Sequence, residues 1–533
     1  SWSNKMMEFK KNYFWHVSVI IIGLVIGLVH HIYIYPNFFH ADSAAYQVLA
    51  SAIRDEGVLL PHDFFYGNQL IMLKISPFIA LANYIGFSGY KAYAIGGAIA
   101  ICVWFYICNL IISKYCGNKY FSLLLSTCLF IPLGMDDIDF LLGQESHLSN
   151  VVLSIMICLP VIIYIQESKK SFLCISALAV ILMTAEQPIR TLIIIAPFIL
   201  FILIIFRSKT SVVSMLSIAV SFVIGKMAND YLLGRHFPLK VDYSQASLLI
   251  SPDKAIDNLF IILKSILVYS SSSSLAVGSN AIGILTPFYF MGLLYILLFI
   301  ATIVYGLKIF LHILIDGRKT KTSICRLDLL CALGATGFVL GLLLISCLNP
   351  EGRHIFWATC ILKISVFATI FKIFKSNIKN NAYTYSLTIA MAICMSAIAP
   401  VLYTTKAKPF SYNKSNMNSE INKKIISIVK STGITYIYGE DFWRMQLLNS
   451  IDAEVHSSEL TDAYDKFVIP RTWLSRPSWY CINGEVLYYT KDGKADKIIE
   501  SELKSKNGKI LYNGAEGKIW LGPVIWSTPK WCN

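Results

Sequence analysis

The sequence predicts a mainly α, polytopic membrane protein of about 11 transmembrane helices, with a small α/β extracytoplasmic domain at the C-terminal end. Hydrophobic residues make up 56% of the 533 residues and charged residues only 15%. The apolar share exceeds the roughly 45–50% of soluble domains. Apolar stretches close to the roughly 20 residues that cross a bilayer recur until Tyr403. Beyond that residue, polar and apolar residues alternate as in a soluble domain.

The apolar stretches define a membrane domain over residues 1–404, which an extracytoplasmic domain follows over residues 405–533. The predicted spans cover residues 14–35, 91–112, 120–135, 148–165, 172–185, 191–206, 212–229, 284–306, 328–348, 355–373 and 383–403. The external loop 36–90 contains two apolar stretches that are too short to span, Ala44–Ile53 and Leu70–Ala82. They are predicted to form helices along the membrane interface.

Charge distribution predicts the orientation of these spans. The formal net charge is +14, but the basic residues are spread over alternate short turns and do not form one patch. This spread excludes a nucleic-acid surface and is typical of cytoplasmic loops. It places the N-terminus in the cytoplasm and the C-terminal domain outside. The basic residues of the cytoplasmic turns are Lys114, Lys119, Lys169, Lys170, Arg207, Lys209, Arg318, Lys319, Lys321, Lys372, Lys375 and Lys379.

The C-terminal domain is predicted to begin with a helix, a strand and a second helix. An amphipathic pattern covers Ser419–Lys430, a β-rich run covers Ile434–Tyr438, and Asp441 precedes the next helical pattern. Two cysteines, Cys481 and Cys532, lie in this domain, where an oxidising compartment would allow them to pair. The other eleven lie in or beside apolar runs without metal-ligand spacing.

The first candidate site lies directly after the first span, at His40 and Asp42. A carboxylate at the membrane surface can accept a proton from a hydroxyl nucleophile. The alternative is that Asp42 is the N-cap of an interfacial helix, and both roles can coexist.

The second candidate site is acidic and follows the third span. Its members are Asp136, Asp137, Asp139, Glu145 and His147. Carboxylates beside a bilayer are costly unless they bind a cation, meet basic partners or stay solvated. A divalent metal, Mg²⁺ or Mn²⁺, held by Asp137, Asp139 and His147 is one interpretation. A solvated turn is the other.

Two further clusters contain arginine at predicted outer helix boundaries. Glu186 and Arg190 separate two apolar runs, and Glu351, Arg353 and His354 precede a late span. Arginine binds phosphate through paired, charge-assisted hydrogen bonds, which suits an anionic lipid headgroup. The alternatives are ion pairs with Glu186 and Glu351, or contacts with ordinary lipid phosphates.

All four clusters fall on one predicted face, and this arrangement resembles the GT-C class of polytopic glycosyltransferases. The likeness is carried by His40-Ala41-Asp42 after the first span, Asp136-Asp137-Ile138-Asp139 as a second acidic motif, and Gly352-Arg353-His354-Ile355-Phe356 before a late span. The sequence departs from the class at Asp42-Ser43, where many members have Asp-Glu. The size and the external domain are most similar to bacterial and phage-encoded transferases that modify O-antigen.

This resemblance implies a membrane-bound hexosyltransferase in the bacterial inner membrane. The implied donor is a polyprenyl-phosphate sugar, and the implied acceptor is a hydroxyl of a lipid-linked or cell-surface glycan. Asp42 would act as the general base, with Arg190, Arg353 and His354 at the donor phosphate. Four aromatic residues of the external domain, Trp443, Trp473, Trp479 and Tyr480, would stack on acceptor sugars or else pack in its core.

Three alternatives to this assignment remain. A polysaccharide polymerase would use similar arginines, but it would place its large loops between spans. A transporter or flippase of lipid-linked sugars predicts polar residues near the middle of several spans and internal repeats. An inert membrane scaffold would have no use for four polar clusters on one face.

Overall fold

The chain is mainly helical in a computed structural model that describes residues 2–67, 69–132, 136–235, 254–261, 287–316, 324–346, 352–375 and 416–532. The longer helices lie in the N-terminal three quarters of the chain. In chain order, the helices are α1 (Trp2–Val29), α2 (Ala41–Glu56), α3 (Ser76–Tyr84), α4 (Gly89–Cys116), α5 (Lys119–Leu129), α6 (Leu148–Glu167), α7 (Lys170–Glu186), α8 (Pro188–Phe206), α9 (Lys209–Arg235), α10 (Pro287–Asp316), α11 (Arg326–Ser346), α12 (Phe356–Lys375), α13 (Glu420–Thr432), α14 (Phe442–Ile451) and α15 (Lys494–Ser505).

Six segments among the described residues are long and apolar enough to cross a membrane. They are Tyr13–Asn37, Gly89–Cys116, Leu148–Glu167, Pro188–Phe206, Lys209–Gly234 and Arg326–Ser346. Each overlaps one of the predicted spans. The protein is therefore membrane-embedded, with apolar helices whose length matches the bilayer.

The remaining five predicted spans are not confirmed. The prediction for 120–135 corresponds to α5, which has only 11 residues, and the prediction for 172–185 corresponds to α7, which has 17. The predictions for 284–306 and 355–373 fall on helices α10 and α12, whose apolar segments Phe299–Ile315 and Phe356–Thr369 are shorter than 18 residues. The span 383–403 and the boundary at 404 lie outside the described residues.

The described residues divide into two compact units. The first contains residues 2–30, 98–231 and the described residues from 254 to 375. The second contains residues 31–97, 232–235 and 416–532. The sequence predicts that the loop 36–90 belongs to the membrane domain, whereas the structure groups this loop with the C-terminal residues.

One end of the first unit, the basic end, gathers the turns that carry lysine and arginine. Arg326 at the start of α11 donates to the carbonyl oxygen of Tyr115 at 3.0 Å, near the end of α4. It also donates to Gln166 Oε1 at 2.9 Å and pairs with Glu167 at the end of α6. The end of α4, the end of α6 and the start of α11 are therefore neighbours.

The second unit is built around a mixed six-stranded sheet. Its strands are β1 (Tyr436–Gly439), β2 (His456–Ala463), β3 (Phe467–Pro470), β4 (Glu485–Thr490), β5 (Lys509–Gly514) and β6 (Gly517–Pro523). The order across the sheet is β3-β2-β1-β4-β6-β5. Strand β1 pairs in parallel with β2 and β4, and the other pairs are antiparallel.

The predicted helix, strand and helix at the start of this sheet are confirmed. Ser419 is the N-cap of α13 and Asp441 the N-cap of α14, and each accepts a backbone N–H through its side chain. Alternate side chains of β1 point to opposite faces, so Ile437 and Tyr438 enter different hydrophobic clusters. This alternation buries both faces of the sheet.

The loop that follows the first span is bound to the C-terminal residues of the second unit through ion pairs. Arg476 bonds Asp63 Oδ2 and Asp55 Oδ2, each at 2.7 Å, and its side chain is only 10% exposed. Backbone bonds between Phe65 and the segment Leu474–Ser475 run beside it. A disulfide between Cys481 and Cys532 links the end of the chain to the same region. These contacts explain why the loop belongs with the C-terminal residues.

Candidate functional site

An ion pair lies at the end of the first unit opposite the basic end. Lys363 on α12 contacts Asp137 Oδ2 at 3.4 Å and is 3% exposed. Its Nζ also donates to the carbonyl oxygens of Leu129 at 3.2 Å and Ile131 at 2.7 Å, where α5 ends. A buried ammonium needs such partners, and the carbonyl end of a helix is favourable for a cation. Asp137 therefore meets a basic partner, one of the options that the sequence allowed.

The acidic segment after this ion pair is compact. Residues Asp137–Leu141 form a π-helical turn directly after Asp136. Asp139 accepts the Gln144 Nε2 donor at 3.2 Å. Glu145 is 1% exposed and has φ of 56°, in the left-handed region that side chains other than glycine rarely adopt. Burial raises the pKa of the Glu145 carboxyl well above its usual range, which favours its neutral form.

Basic side chains from separate parts of the chain meet beside this acidic segment. The rings of His147 and His354 lie 6.1 Å apart between centroids. Arg190 Nη1 donates to the carbonyl oxygen of Ser146 at 3.4 Å. Helix α8, which carries Arg190, contacts the 3-10 turn Gly352–Ile355. We call the segment 136–147, the turn 186–190 and the turn 352–355 together the polar end of the first unit.

Of the remaining predicted site residues, the structure describes Glu186 fully but not Glu351 or the side chain of Arg353. Glu186 is the final residue of α7 and is 1% exposed. Gln187 interrupts the helices before Pro188 starts α8, because proline is favourable in the first turn. Glu351 and the side chain of Arg353 lie outside the described residues.

The predicted Mg²⁺ or Mn²⁺ site does not fit the residues that are present. No group of three or more His, Cys, Asp and Glu side chains in the described ranges could hold a metal ion. Asp137 is paired with Lys363, and Asp139 is bonded to Gln144. These side chains therefore do not form a metal site.

His40 and Asp42 lie in the second unit, at the start of α2. The interpretation of Asp42 as the N-cap is wrong. His40 is the N-cap, and its Nδ1 accepts the backbone N–H of Asp42 at 3.3 Å. Asp42 is the second residue of the helix and is half-buried. A carboxylate in the first turn is stabilised by the helix dipole, so Asp42 is held at a defined position.

The aromatic residues proposed for sugar stacking fall into two groups. Trp479 is 6% exposed and Tyr480 is 1% exposed, so both are mostly buried, but only Tyr480 belongs to the hydrophobic core of the sheet, and Trp479 lines a cavity. Trp443 is 55% exposed and its ring lies 6.0 Å from that of His40. Trp473 is 36% exposed and stacks on Phe442 at 5.2 Å. Trp443 and Trp473 therefore retain accessible ring surface in the second unit.

Several residues of these regions were not assigned a role from the sequence. Lys363 is the single charge in the apolar segment Phe356–Thr369 of α12, and that pattern is a signal for a buried functional or structural group. His30 is 2% exposed, and its Nε2 contacts the Ile138 carbonyl oxygen at 3.0 Å. Arg476 lies in a polar stretch whose composition contains no comparable signal.

Comparison with protein-family models and with curated proteins finds no match to this chain.

Proposed function

We propose that the protein is a membrane-bound glycosyltransferase that moves a hexose, glucose in the first instance, from a polyprenyl-phosphate sugar to a glycan hydroxyl. The reaction would take place on the outer face of a bacterial inner membrane, with the N-terminus in the cytoplasm and the second unit in the periplasm. The acceptor would be a lipid-linked or cell-surface glycan such as O-antigen. We also propose that the protein has a fold of the GT-C type with about 11 transmembrane helices.

One observation carries the proposal. His147, Arg190 and the turn that contains His354 come together at the polar end, although they are far apart in sequence. Imidazole and guanidinium groups beside apolar helices suit a lipid-linked phosphate, because the headgroup is anionic and its tail is apolar. The same end contains the buried carboxyl of Glu145, whose pKa is raised by burial.

The proposed step is a single inverting displacement. The acceptor hydroxyl oxygen attacks C1 of the hexose while Asp42 takes its proton. The bond between C1 and the phosphate oxygen breaks, and polyprenyl phosphate leaves with the electron pair. Arg190 and Arg353 stabilise the negative charge that develops on this phosphate. Arg353 is assigned from its place in the sequence motif.

A transfer assay tests the proposal. Purified protein receives radiolabelled polyprenyl-phosphate hexoses and a lipid-linked glycan, and the parent is compared with Asp42→Asn. We expect the variant to lose roughly 100-fold or more of its turnover, because general-base catalysis contributes about 10²–10⁴-fold. The matched control is Asp465→Asn, an exposed aspartate of the same unit, which should transfer like the parent.

Arg190→Gln should lower kcat as well as kcat/KM for the donor, because it removes a group that stabilises the charge developing on the leaving phosphate. Unchanged turnover in Asp42→Asn would remove Asp42 from the mechanism. If no sugar donor supports turnover in the parent, the assignment fails and a flippase of lipid-linked sugars becomes the leading alternative. The second unit weighs against a polymerase, which would place its large loops between spans.

A further inference from the structure

The second unit contains a cavity of about 330 Å³ between two distant parts of the chain. One wall is the C-terminal half of α2, from Gln47 to Asp55. The opposite wall comes from the C-terminal sheet, through Tyr436, His456 and Trp479. This volume is at the lower end of the roughly 300–1,000 Å³ of small-molecule pockets. The cavity is therefore large enough for a small ligand unit.

The walls are held in place by hydrogen bonds. Arg476 donates to Asp55 Oδ2 at 2.7 Å and to Ser51 Oγ at 3.1 Å, so it fixes the sheet wall to α2. Gln47 Nε2 donates to the Gly89 carbonyl oxygen at 2.6 Å and fixes the start of α4 to the same helix. A ligand that enters the cavity meets groups that are already ordered, which lowers the entropic cost of binding.

The charges around the cavity are already paired. Arg54 contacts Asp55 at 2.8 Å, and Arg476 is shared between Asp55 and Asp63. Burial, with the nearby Arg476 charge, lowers the pKa of His456, so this ring is neutral at neutral pH. The cavity thus has little spare positive charge for a phosphate. A neutral ligand fits it better.

The remaining lining is aromatic and polar, with few aliphatic groups. The ring of His456 lies 5.1 Å from that of Trp479 and 5.0 Å from that of Tyr436. Amide and hydroxyl groups come from Asn83 and Ser88. The aliphatic side chains of the lining are small, namely Val48, Ala453 and Val455. Rings beside amide and hydroxyl groups suit a sugar, which has apolar C–H faces and many hydroxyls, better than a lipid tail.

The cavity is remote from the proposed base along α2. A helix rises about 1.5 Å per residue, so the wall on α2 lies from about 8 Å, at Gln47, to about 20 Å, at Asp55, from Asp42 along the axis. A hydroxyl in the cavity cannot reach the Asp42 carboxylate. An occupant would therefore be a part of the acceptor that does not react.

We propose that this cavity binds a neutral sugar unit of the acceptor glycan, several units away from the hydroxyl that receives the hexose. This inference rests on the proposed function. Binding at this cavity makes the protein sensitive to the length of the acceptor, because a glycan must be long enough to reach both Asp42 and the cavity. Binding energy from the remote unit would then contribute to the selection of polymeric acceptors.

The test compares Ala453→Trp with Glu454→Trp in the full-length protein. Both residues are exposed, but Ala453 belongs to the lining of the cavity and Glu454 does not. The probe is bacterial O-polysaccharide, fractionated by length from one repeat to long chains. We expect Ala453→Trp to weaken binding of the long fragments roughly tenfold, because the indole fills the cavity, and Glu454→Trp to bind like the parent. Asn83→Ala is a milder variant, because it removes one amide of the lining and adds no bulk. It should also weaken binding of the long fragments, and it guards against a loss that misfolding of Ala453→Trp causes.

Four outcomes decide the matter. A selective loss for long fragments in Ala453→Trp supports the sub-site. Equal binding by parent and variant, or no binding by the parent, overturns it. Binding of inorganic phosphate that the variant abolishes would also overturn it. If the parent binds long fragments in this way but transfers no hexose from any donor, the binding site stands and the proposed glycosyltransferase function fails.

Discussion

Glu459 on strand β2 is a buried carboxyl group with an unusual proton affinity. It is 5% exposed and pairs with Arg471, whose side chain is 37% exposed. Burial raises the pKa of Glu459 from 4.5 to about 7, although Arg471 acts in the opposite direction. The nearby Asp441 and Glu440 add to the rise. The folded state therefore binds a proton that the unfolded chain releases near pH 4.5.

This proton makes the second unit less stable as the pH rises. A carboxyl whose pKa is raised by folding favours the folded state fully below its unfolded pKa, and that advantage is lost as the pH rises through about 7. A shift from 4.5 to about 7 corresponds to at most about 3 kcal/mol. We expect Glu459→Gln to flatten the fall in the free energy of unfolding between about pH 5 and about pH 8.

Tryptophan fluorescence during thermal unfolding measures this effect, because six of the ten tryptophans lie between residues 443 and 531. The parent and the Gln variant are compared at each pH. Parallel pH profiles for the two proteins would show that Glu459 ionises in the folded state as it does in the unfolded chain.

At the scale of single residues, the sequence predicts chemical types better than partners. It selects Asp137 as an acid that binds a cation, meets a basic partner or stays solvated, and only the folded chain shows that its partner is Lys363, 226 positions away. It selects Asp42 as a helix-start residue and misplaces the cap by two positions, because His40 also accepts a backbone N–H. It groups four aromatic residues, whereas burial separates Trp443 and Trp473 from Trp479 and Tyr480.

At the scale of helices, Lys363 connects α12 to the end of α5 and to the acidic segment. Replacing it with methionine leaves Asp137 and two carbonyl groups without their cation. Removal of one partner from a buried ion pair costs about 3–5 kcal/mol. We expect Lys363→Met to unfold the first unit at a temperature lower by roughly 5 °C or more.

A thiol-reactive dye can measure that transition, because Cys108, Cys128, Cys158, Cys331 and Cys360 are free and buried in the first unit. The matched control is Lys226→Met, which removes an exposed pair with Asp230 and should cost less than about 1 kcal/mol. The double variant Lys363→Met with Asp137→Asn should recover part of the loss. Equal unfolding temperatures for Lys363→Met and Lys226→Met would contradict a stabilising role for the buried pair.

Helix positions follow from the sequence more closely than helix lengths. The apolar run predicted for 120–135 contains Pro132, which lacks an N–H donor, and α5 ends at Leu129. The carbonyl groups at this end bond Lys363. The sheet of the second unit is a different case. Strand β1 was predicted from its pattern, but its pairing with β2 and β4 depends on residues further along the chain.

For the whole molecule, the alternation of basic and mixed polar turns predicts which helix ends share a side of the membrane, and this topology stays a prediction. Within the first unit, Arg326 and Glu167 meet at the basic end, and His147 and His354 meet at the polar end. Helix α6 runs between Glu167 and His147, so these two ends are opposite. The grouping of residues 31–97 with the C-terminal part was not predicted, because the ion pairs of Arg476 join residues more than 400 positions apart.

The proposed orientation of the chain has a direct chemical test. Lys169 lies in a basic turn between α6 and α7, and Tyr464 lies in a loop of the second unit where it is 87% exposed. In a background where the exposed Cys174 and Cys325 are replaced by serine, one cysteine is introduced at either position. Positive charge favours the cytoplasmic side, so a membrane-impermeant maleimide added to cells with a permeabilised outer membrane should label Tyr464→Cys.

Lys169→Cys should react only after the inner membrane is disrupted, and this second reaction is the control for its accessibility. The disulfide between Cys481 and Cys532 is expected in the same oxidising space as position 464. Labelling of Lys169→Cys while the inner membrane is intact would show that the chain has the opposite orientation. The second unit would then face the cytoplasm, away from glycans of the cell surface, and the acceptor assigned to the protein would be wrong even if sugar transfer itself were observed.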